Sequence, residues 1–196
     1  MIGVYTKNIG GTWFGVACDE HRVFGTSFAS SEQHALRSLL DGIPFGVPFQ
    51  TFSTPSAFAE NVLALVKDVY DGKDASQGLP LATEQLTAYT RRVLEVASLI
   101  PVGYVASYGS VANAAGGGPR AVGNVMAANP FAPVVPCHRV VSSDFTLGGY
   151  GGGLDVKLDF LVREKRGYTS PKEIPVGERK LMVFPVEFVL RKLGKV

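Results

Sequence analysis

The chain has 196 residues, 46% of them hydrophobic and 18% charged. That composition gives a globular protein of one domain or two small ones, and it excludes a disordered chain. The net charge of +2 names no partner, no apolar run approaches the ~18 residues of a membrane span, and two cysteines are too few for a disulfide framework.

The distribution of charge says more. Residues 1–85 hold 5 Lys/Arg against 9 Asp/Glu, and residues 86–196 hold 14 against 8. The two parts differ in sign, which hints at two modules, the second facing a polyanion. The opening MIGVYTKNIGG has no basic region followed by an apolar stretch, so a secretory signal is not expected. The expected location is the cytoplasm, or the nucleus in a eukaryote, with no membrane partner.

In chain order, IGVY, TWFGVAC and RVFGTSF are rich in aromatic and β-branched residues and read as strands. Asp19-Glu20-His21 makes a turn between two of them. A helix is predicted from Ser31 to Leu40, ended by Asp41-Gly42. GIPFGVPFQTFSTP is a Pro/Gly-rich connection. A second helix runs from Ser56 to Tyr70, with Phe58, Val62, Leu63, Leu65 and Val66 supplying its apolar face. DGKDASQGLP reads as a linker, and the domain boundary is placed near residue 85.

Beyond it, Tyr89, Val93, Val96, Ala97 and Ile100 fall on one helix face, and Pro101 ends that helix. Ser107 can cap a short helix running to Ala115. Gly116-Gly117-Gly118 turns the chain, and Pro119 opens a further helix to Ala128, stopped by Asn129-Pro130. Two short helices around a glycine turn form a helix-turn-helix pattern. Ala115, Ala121, Gly123, Ala127 and Ala128 keep these helices thin, which suits close packing and equally suits entry into a DNA groove. Arg120 stands at the start of the second helix, where the helix dipole disfavours a cation.

PVVPCHRVV, residues 133–141, places a thiol, an imidazole and a guanidinium inside a proline-bounded apolar run. An inert buried cysteine needs no polar flank, and the flank carries a desolvation cost. A thiolate nucleophile does need a nearby base or cation.

NPFAPVVPCHRVV, preceded by PRAVGNVMAANP and followed by GGYGGGLDVKLDFLVREKRG, resembles the 6-O-alkylguanine-DNA alkyltransferases, the methylated-DNA–protein-cysteine methyltransferases. The resemblance is close over residues 85–167 and holds only in outline before them. It implies an α/β (α+β) fold. Residues 1–85 would form an N-terminal α/β domain, a small sheet with helices that is ribonuclease-H-like in outline. Residues 86–167 would form a mainly helical DNA-binding and alkyl-transfer domain with a winged helix-turn-helix, and residues 168–196 a C-terminal extension.

The resemblance also implies roles. Cys137 matches the nucleophile that takes the alkyl group from the 6-oxygen of guanine in a single irreversible turnover. His138 matches the residue that activates the thiol through a water, Glu164 the acid that orients the histidine, and Asn129 the asparagine that braces the turn. Arg139 is expected to tie the turn to its surroundings, and Pro136 to hold it. Tyr150 would hydrogen-bond the guanine oxygen, with Met126 and Val140 lining the base pocket. Tyr108 would crowd the 3′ phosphate of the target. Arg120 would fill the space left by the extruded base, on a groove-facing helix with Ala121 and Gly123. Gly151 stands where relatives often carry a hydrogen-bonding residue, which leaves Tyr150 less supported. The stretch 148–153 reads as a flexible pocket loop, with an ordinary surface turn as the alternative. The partner is double-stranded DNA containing alkylated guanine, the protein is expected to be a monomer, and no cofactor is expected.

Two rival readings keep the fold and drop the chemistry. One is a lesion-binding alkyltransferase-like protein, against which Cys137 argues. The other is a helix-turn-helix regulator, in which the PCHRV turn and Glu164 would have no role. A cysteine hydrolase would show turnover. Cys18 and His21 have C-x-x-H spacing, but a zinc site wants four ligands, and only His34 remains outside the PCHRV motif, so no metal is expected. IPVGERKLMVFPVEFVLRKLGKV reads as a strand plus a short helix packing on the core, with a contact surface for DNA or protein as the alternative.

Overall fold

The aromatic and β-branched runs near the N-terminus pair into an antiparallel meander of β1 (Ile2–Ile9), β2 (Thr12–Cys18) and β3 (Val23–Ala29). Gly10 and Gly11 join β1 to β2 with φ of 62° and 88°, the left-handed pair that a two-residue hairpin requires. The computed structural model describes residues 1–75 and 78–195. Of the predicted linker, residues 76 and 77 lie outside the described residues.

These strands belong to a first unit, Met1–Tyr70 with Asp74–Leu86 and Asn129–Val134. It also holds α1 (Glu32–Gly42), β4 (Phe49–Thr51) and α2 (Ala57–Tyr70), in a sheet of order β3-β2-β1-β4. The period of two along β2 separates two cores. Phe14, Val16 and Cys18 join Ala59, Val62, Leu63 and Val66 of α2, together with Val134. Ala17 joins Ile2, Val4, Phe24, Ala82 and Leu39 of α1. Cys18 is thus a core residue whose thiol is pushed up to about 11 by burial and then by Asp19, while His21 and His34 are exposed.

Residues 42–55, read as a connection, contain the three-residue strand β4, which pairs in parallel with β1. Its partner is distant in sequence, and its residues are all exposed, so no alternation marked it. Asn129–Val134 is held in the first unit by the Thr26 amide donating to the Pro130 carbonyl (2.9 Å) and the Thr26 hydroxyl to that of Ala132 (2.9 Å).

The second unit comprises Asp71–Lys73, Thr87–Ala128 and Val135–Val196. Thr87 accepts the Thr90 amide and starts α3 (Ala88–Ser98). Strand β5 (Tyr104–Ser107) leads into α4 (Tyr108–Ala115), capped as predicted by Ser107, whose hydroxyl accepts the Ser110 amide. Gly116 and Gly117, with φ of 90° and 80°, turn the chain into α5 (Pro119–Ala127), where Pro119 takes the first helical turn. There follow β6 (Val140–Val141), α6 (Leu154–Arg163), β7 (Lys172–Val176), β8 (Arg179–Pro185) and α7 (Val186–Lys192).

The strands form a mixed sheet of order β6-β5-β8-β7. The last segment therefore carries two strands where one was predicted, joined at Gly177-Glu178 with Gly177 at φ 60°. Strand β8 pairs with β5 through Tyr104↔Pro185 and Val105↔Phe184. Val105, Val141, Leu147, Leu161, Val186, Val189 and Leu190 make this unit's core. Among the described residues no helix is long and apolar enough to cross a membrane.

Candidate active site

Pro136 cannot continue a ladder as a donor, and the chain turns there. Its φ of −81° and ψ of 67° open a one-turn 3₁₀ helix, Cys137–Arg139. The Cys137 amide donates to the Val135 carbonyl (2.8 Å) and the Arg139 amide to that of Pro136 (2.9 Å). Val140 and Val141 then pair in parallel with Ala106 and Ser107 of β5. The turn is thus fixed on both sides, and its three polar side chains are buried: Cys137 is 6% exposed, His138 0% and Arg139 2%.

Buried charge needs partners, and α6 supplies them. Its inward face carries Lys157, Phe160 and Leu161, with Glu164 at its C-terminal cap, the i, i+3, i+4, i+7 spacing of one helix stripe. Glu164 Oε1 lies 2.8 Å from His138 Nε2. Arg139 donates from Nε to Oε2 and from Nη2 to Oε1, both at 2.9 Å, and from Nη1 to the Ile100 carbonyl at 2.7 Å. The His138 ring stacks on Phe160, centroids 4.3 Å apart.

Burial pushes the Glu164 carboxyl up, but His138 and Arg139 outweigh it and hold the group at about 2, so it is a carboxylate. Burial holds His138 below its ordinary value against the raising pull of Glu164, so the ring is neutral at neutral pH. A carboxylate can only accept, which assigns the ring proton to Nε2 and the lone pair to Nδ1. Nδ1 is buried and has no hydrogen-bond partner among the described residues. It is the acceptor this site offers to a thiol proton.

Lys157, on the same stripe, was not singled out in the sequence. Its Nζ donates to the carbonyls of Val140 (2.6 Å), Leu147 (2.6 Å) and Gly149 (3.0 Å). These bonds tie the start of the glycine-rich loop to β6. Burial lowers this amine to about 8, against a raising interaction with Cys137. Lys157 also lies 5.8 Å from the ring centroids of both Tyr108 and Tyr150. Tyr108 donates its hydroxyl to the Gly149 carbonyl at 3.3 Å. Tyr150 is raised well above the ordinary phenol range, first by burial and then by Cys137, with which its side chain is hydrogen-bonded. It is therefore a protonated donor beside the sulfur.

The second unit thus brings together Cys137, His138, Arg139, Glu164, Tyr108 and Tyr150 of the predicted set. Val140 and Met126 are buried at 0% and 8%. Arg120 is exposed near the start of α5, and Ala121 and Gly123 are half-buried on it. Gly151 is exposed, and a Cβ there would meet nothing within 4 Å, so the loop does not need glycine at that point for space. Asn129 lies in the first unit, where its Oδ1 accepts the Phe131 amide at 3.0 Å in a local turn.

The model of the 6-O-methylguanine DNA methyltransferase DNA-binding domain matches residues 88–166. The methylated-DNA–protein-cysteine methyltransferase of Methanothermobacter thermautotrophicus is 38% identical over 127 residues, covering 64% of this chain and 70% of that one. That of Pyrobaculum aerophilum is 54% identical over 65 residues, 33% of this chain and 44% of its own. Among solved structures, the O6-methylguanine-DNA methyltransferase of Pyrococcus kodakaraensis KOD1 superposes with a TM-score of 0.64 at 30% identity, covering 84% of this chain and 99% of that one. A Mycobacterium tuberculosis OGT in complex with DNA shares the fold, with a TM-score of 0.65 at 24% identity over 83% of this chain and 92% of that one.

Proposed function

The chain belongs to the methylated-DNA–protein-cysteine methyltransferase family, which repairs DNA directly by alkyl transfer to a cysteine, and we propose that Cys137 is the acceptor and alkylated guanine in duplex DNA the substrate. The observation that carries the assignment is the buried chain of groups around the thiol: Tyr150 beside the sulfur, and neutral His138 fixed by Glu164 next to it in sequence. The other cysteine sits in a β-sheet core with its thiol held protonated.

In this reading the thiol proton passes by way of a water to His138 Nδ1. The thiolate attacks the alkyl carbon, the carbon–oxygen bond to the guanine 6-position breaks, and its electron pair stays on the oxygen. Tyr150 donates to that oxygen as charge develops on it. Overall the thiol proton ends on the restored guanine, and the alkyl group ends on sulfur as a thioether. A thioether is a very poor leaving group, so nothing regenerates Cys137 and each molecule acts once.

The target atom lies inside the stack, so the base has to be flipped out. Arg120, exposed near the start of α5, is suited to occupy the gap, with Ala121 and Gly123 on the same groove-facing helix, Met126 and Val140 lining the base pocket, Asn129 holding its local turn at Phe131, and Gly151 giving Tyr150 no side-chain support. One chain supplies every reacting group named, so a monomer suffices. The chemistry needs a reduced thiol, which suits a reducing compartment. The test is a time course with excess 6-O-methylguanine duplex. The expected result is a plateau at one methyl group per protein, while continued turnover would contradict a self-alkylating protein.

A further inference from the structure

We propose that Arg92 and Arg179 form a backbone-phosphate clasp for duplex DNA at the Gly116–Gly118 turn, built in part by the C-terminal hairpin. The inference rests on the DNA-binding reading above. Arg92 comes from α3 and Arg179 from the first residue of β8, beyond the 88–166 stretch that matches the family model. The fold brings them to one spot. A Cβ built on Gly116 would lie 3.3 Å from Arg179 Nη1 and 4.0 Å from Arg92 Nη2.

Both side chains are exposed, and among the described residues no carboxylate pairs with either. Each is nonetheless held in place. Arg179 Nη1 donates to the Asn113 carbonyl at 3.3 Å, and the Arg92 guanidinium lies 5.8 Å from the Tyr89 ring centroid. Tyr89 is itself lodged under the turn, where a Cβ on Gly117 would come within 2.6 Å of its hydroxyl.

Two guanidiniums gathered without an anion repel each other. A phosphate between them removes the repulsion and accepts from both at ~2.8 Å, the strongest geometry available to arginine. The remaining N–H groups of both residues stay available to it. The place favours DNA as the source of that phosphate. The turn joins the two helices of the helix-turn-helix pattern, and just past it α5 begins at Pro119 with no side-chain cap, so the positive N-terminal end of that helix begins within a few residues of the pair. Proteins of this pattern use phosphate contacts beside the groove helix to fix register. The hairpin would thus lengthen the DNA footprint and add no base specificity.

The experiment is the salt dependence of binding to unmodified duplex, measured on Cys137→Ser protein to prevent reaction. Each phosphate neutralised adds about 0.9 to the slope of log affinity against log salt. Arg92→Gln with Arg179→Gln is expected to lower that slope by about one. Arg92→Lys with Arg179→Lys is expected to retain it, and Lys7→Gln with Arg22→Gln, an equal loss of charge in the first unit, to leave it unchanged. A double glutamine variant with the parent's slope overturns the clasp alone. A parent that shows no salt-dependent binding overturns the DNA reading itself, and the clasp with it.

Discussion

Arg139 and Glu164 are joined by two hydrogen bonds of 2.9 Å in a place that solvent does not reach. The same carboxylate holds His138, so one acid both neutralises the bracing cation and sets the tautomer of the imidazole. In the proposed function, folding and chemistry share this group.

That sharing fixes the response to acid. Glu164 is held at about 2 in the folded protein against an ordinary 4.5. A depressed acid stabilises the fold fully above its unfolded value and loses that contribution as pH falls through the folded one. The wild type is therefore expected to lose stability between pH 4.5 and 2, and Glu164→Gln to flatten this part of the curve. At neutral pH the variant leaves the Arg139 charge uncompensated, a loss of roughly 3–5 kcal/mol. Urea midpoints across the acid range provide the check.

Lys157 should give a pH dependence of the same sign in the alkaline range, although here it is the neutral form that the fold favours. Its amine is at about 8 when folded and 10.5 when free. Between those values the unfolded chain still binds a proton that the folded one has released, so this residue's contribution to stability rises with pH. Lys157→Met should abolish that rise. It also releases the carbonyls of Leu147 and Gly149, so transfer should slow, on the order of ten- to a hundredfold through misplacement of Tyr150, with free 6-O-benzylguanine and duplex alike. Urea midpoints from pH 8 to 10.5 and single-turnover rates test the two parts separately.

The C-terminal hairpin and helix should be indispensable to the second unit. Leu181, Val183, Val186, Val189 and Leu190 are all buried, and each such side chain contributes about 1.5–3 kcal/mol on burial. Ending the chain at residue 168 removes them and uncovers β5. The expected outcome is loss of cooperative unfolding for this unit by circular dichroism and loss of transfer. A truncated chain that still transfers would show the segment to be an appendage.

Arg120→Ala should separate base extrusion from chemistry. Losing a side chain that supports the flipped state is expected to slow transfer from duplex roughly tenfold to a thousandfold, since unstacking costs on the order of a few kcal/mol. Transfer from free 6-O-benzylguanine should slow far less. Stability should change by no more than about 0.5 kcal/mol, because the side chain is exposed. Equal slowing on both substrates would withdraw Arg120 from the duplex step.

What was legible in the sequence was local. The Ser107 cap, the glycine turn, Pro119 and the PCHRV turn are read within a few residues, because caps and turns depend on neighbouring backbone. The His138–Glu164 pair was reachable only through the family resemblance, since its partners are far apart in the chain. Lys157 escaped notice because a lysine in an amphipathic helix usually faces water. Its signal was the stripe it shares with Phe160, Leu161 and Glu164. The β7–β8 hairpin escaped although Gly177-Glu178 is a two-residue turn signal, because the strand pattern of KEIPV is mostly exposed. Strand β4 and the return of Asn129–Val134 to the first unit rest on pairings that no local pattern encodes.

The most direct test of the account is the site of the label. The protein is mixed with duplex containing 6-O-methylguanine, digested and mapped by mass spectrometry. One methyl group on the peptide holding Cys137, with none on Cys18 and none anywhere in Cys137→Ala, is the expected result. A methyl group on Cys18, or transfer persisting without Cys137, would contradict it.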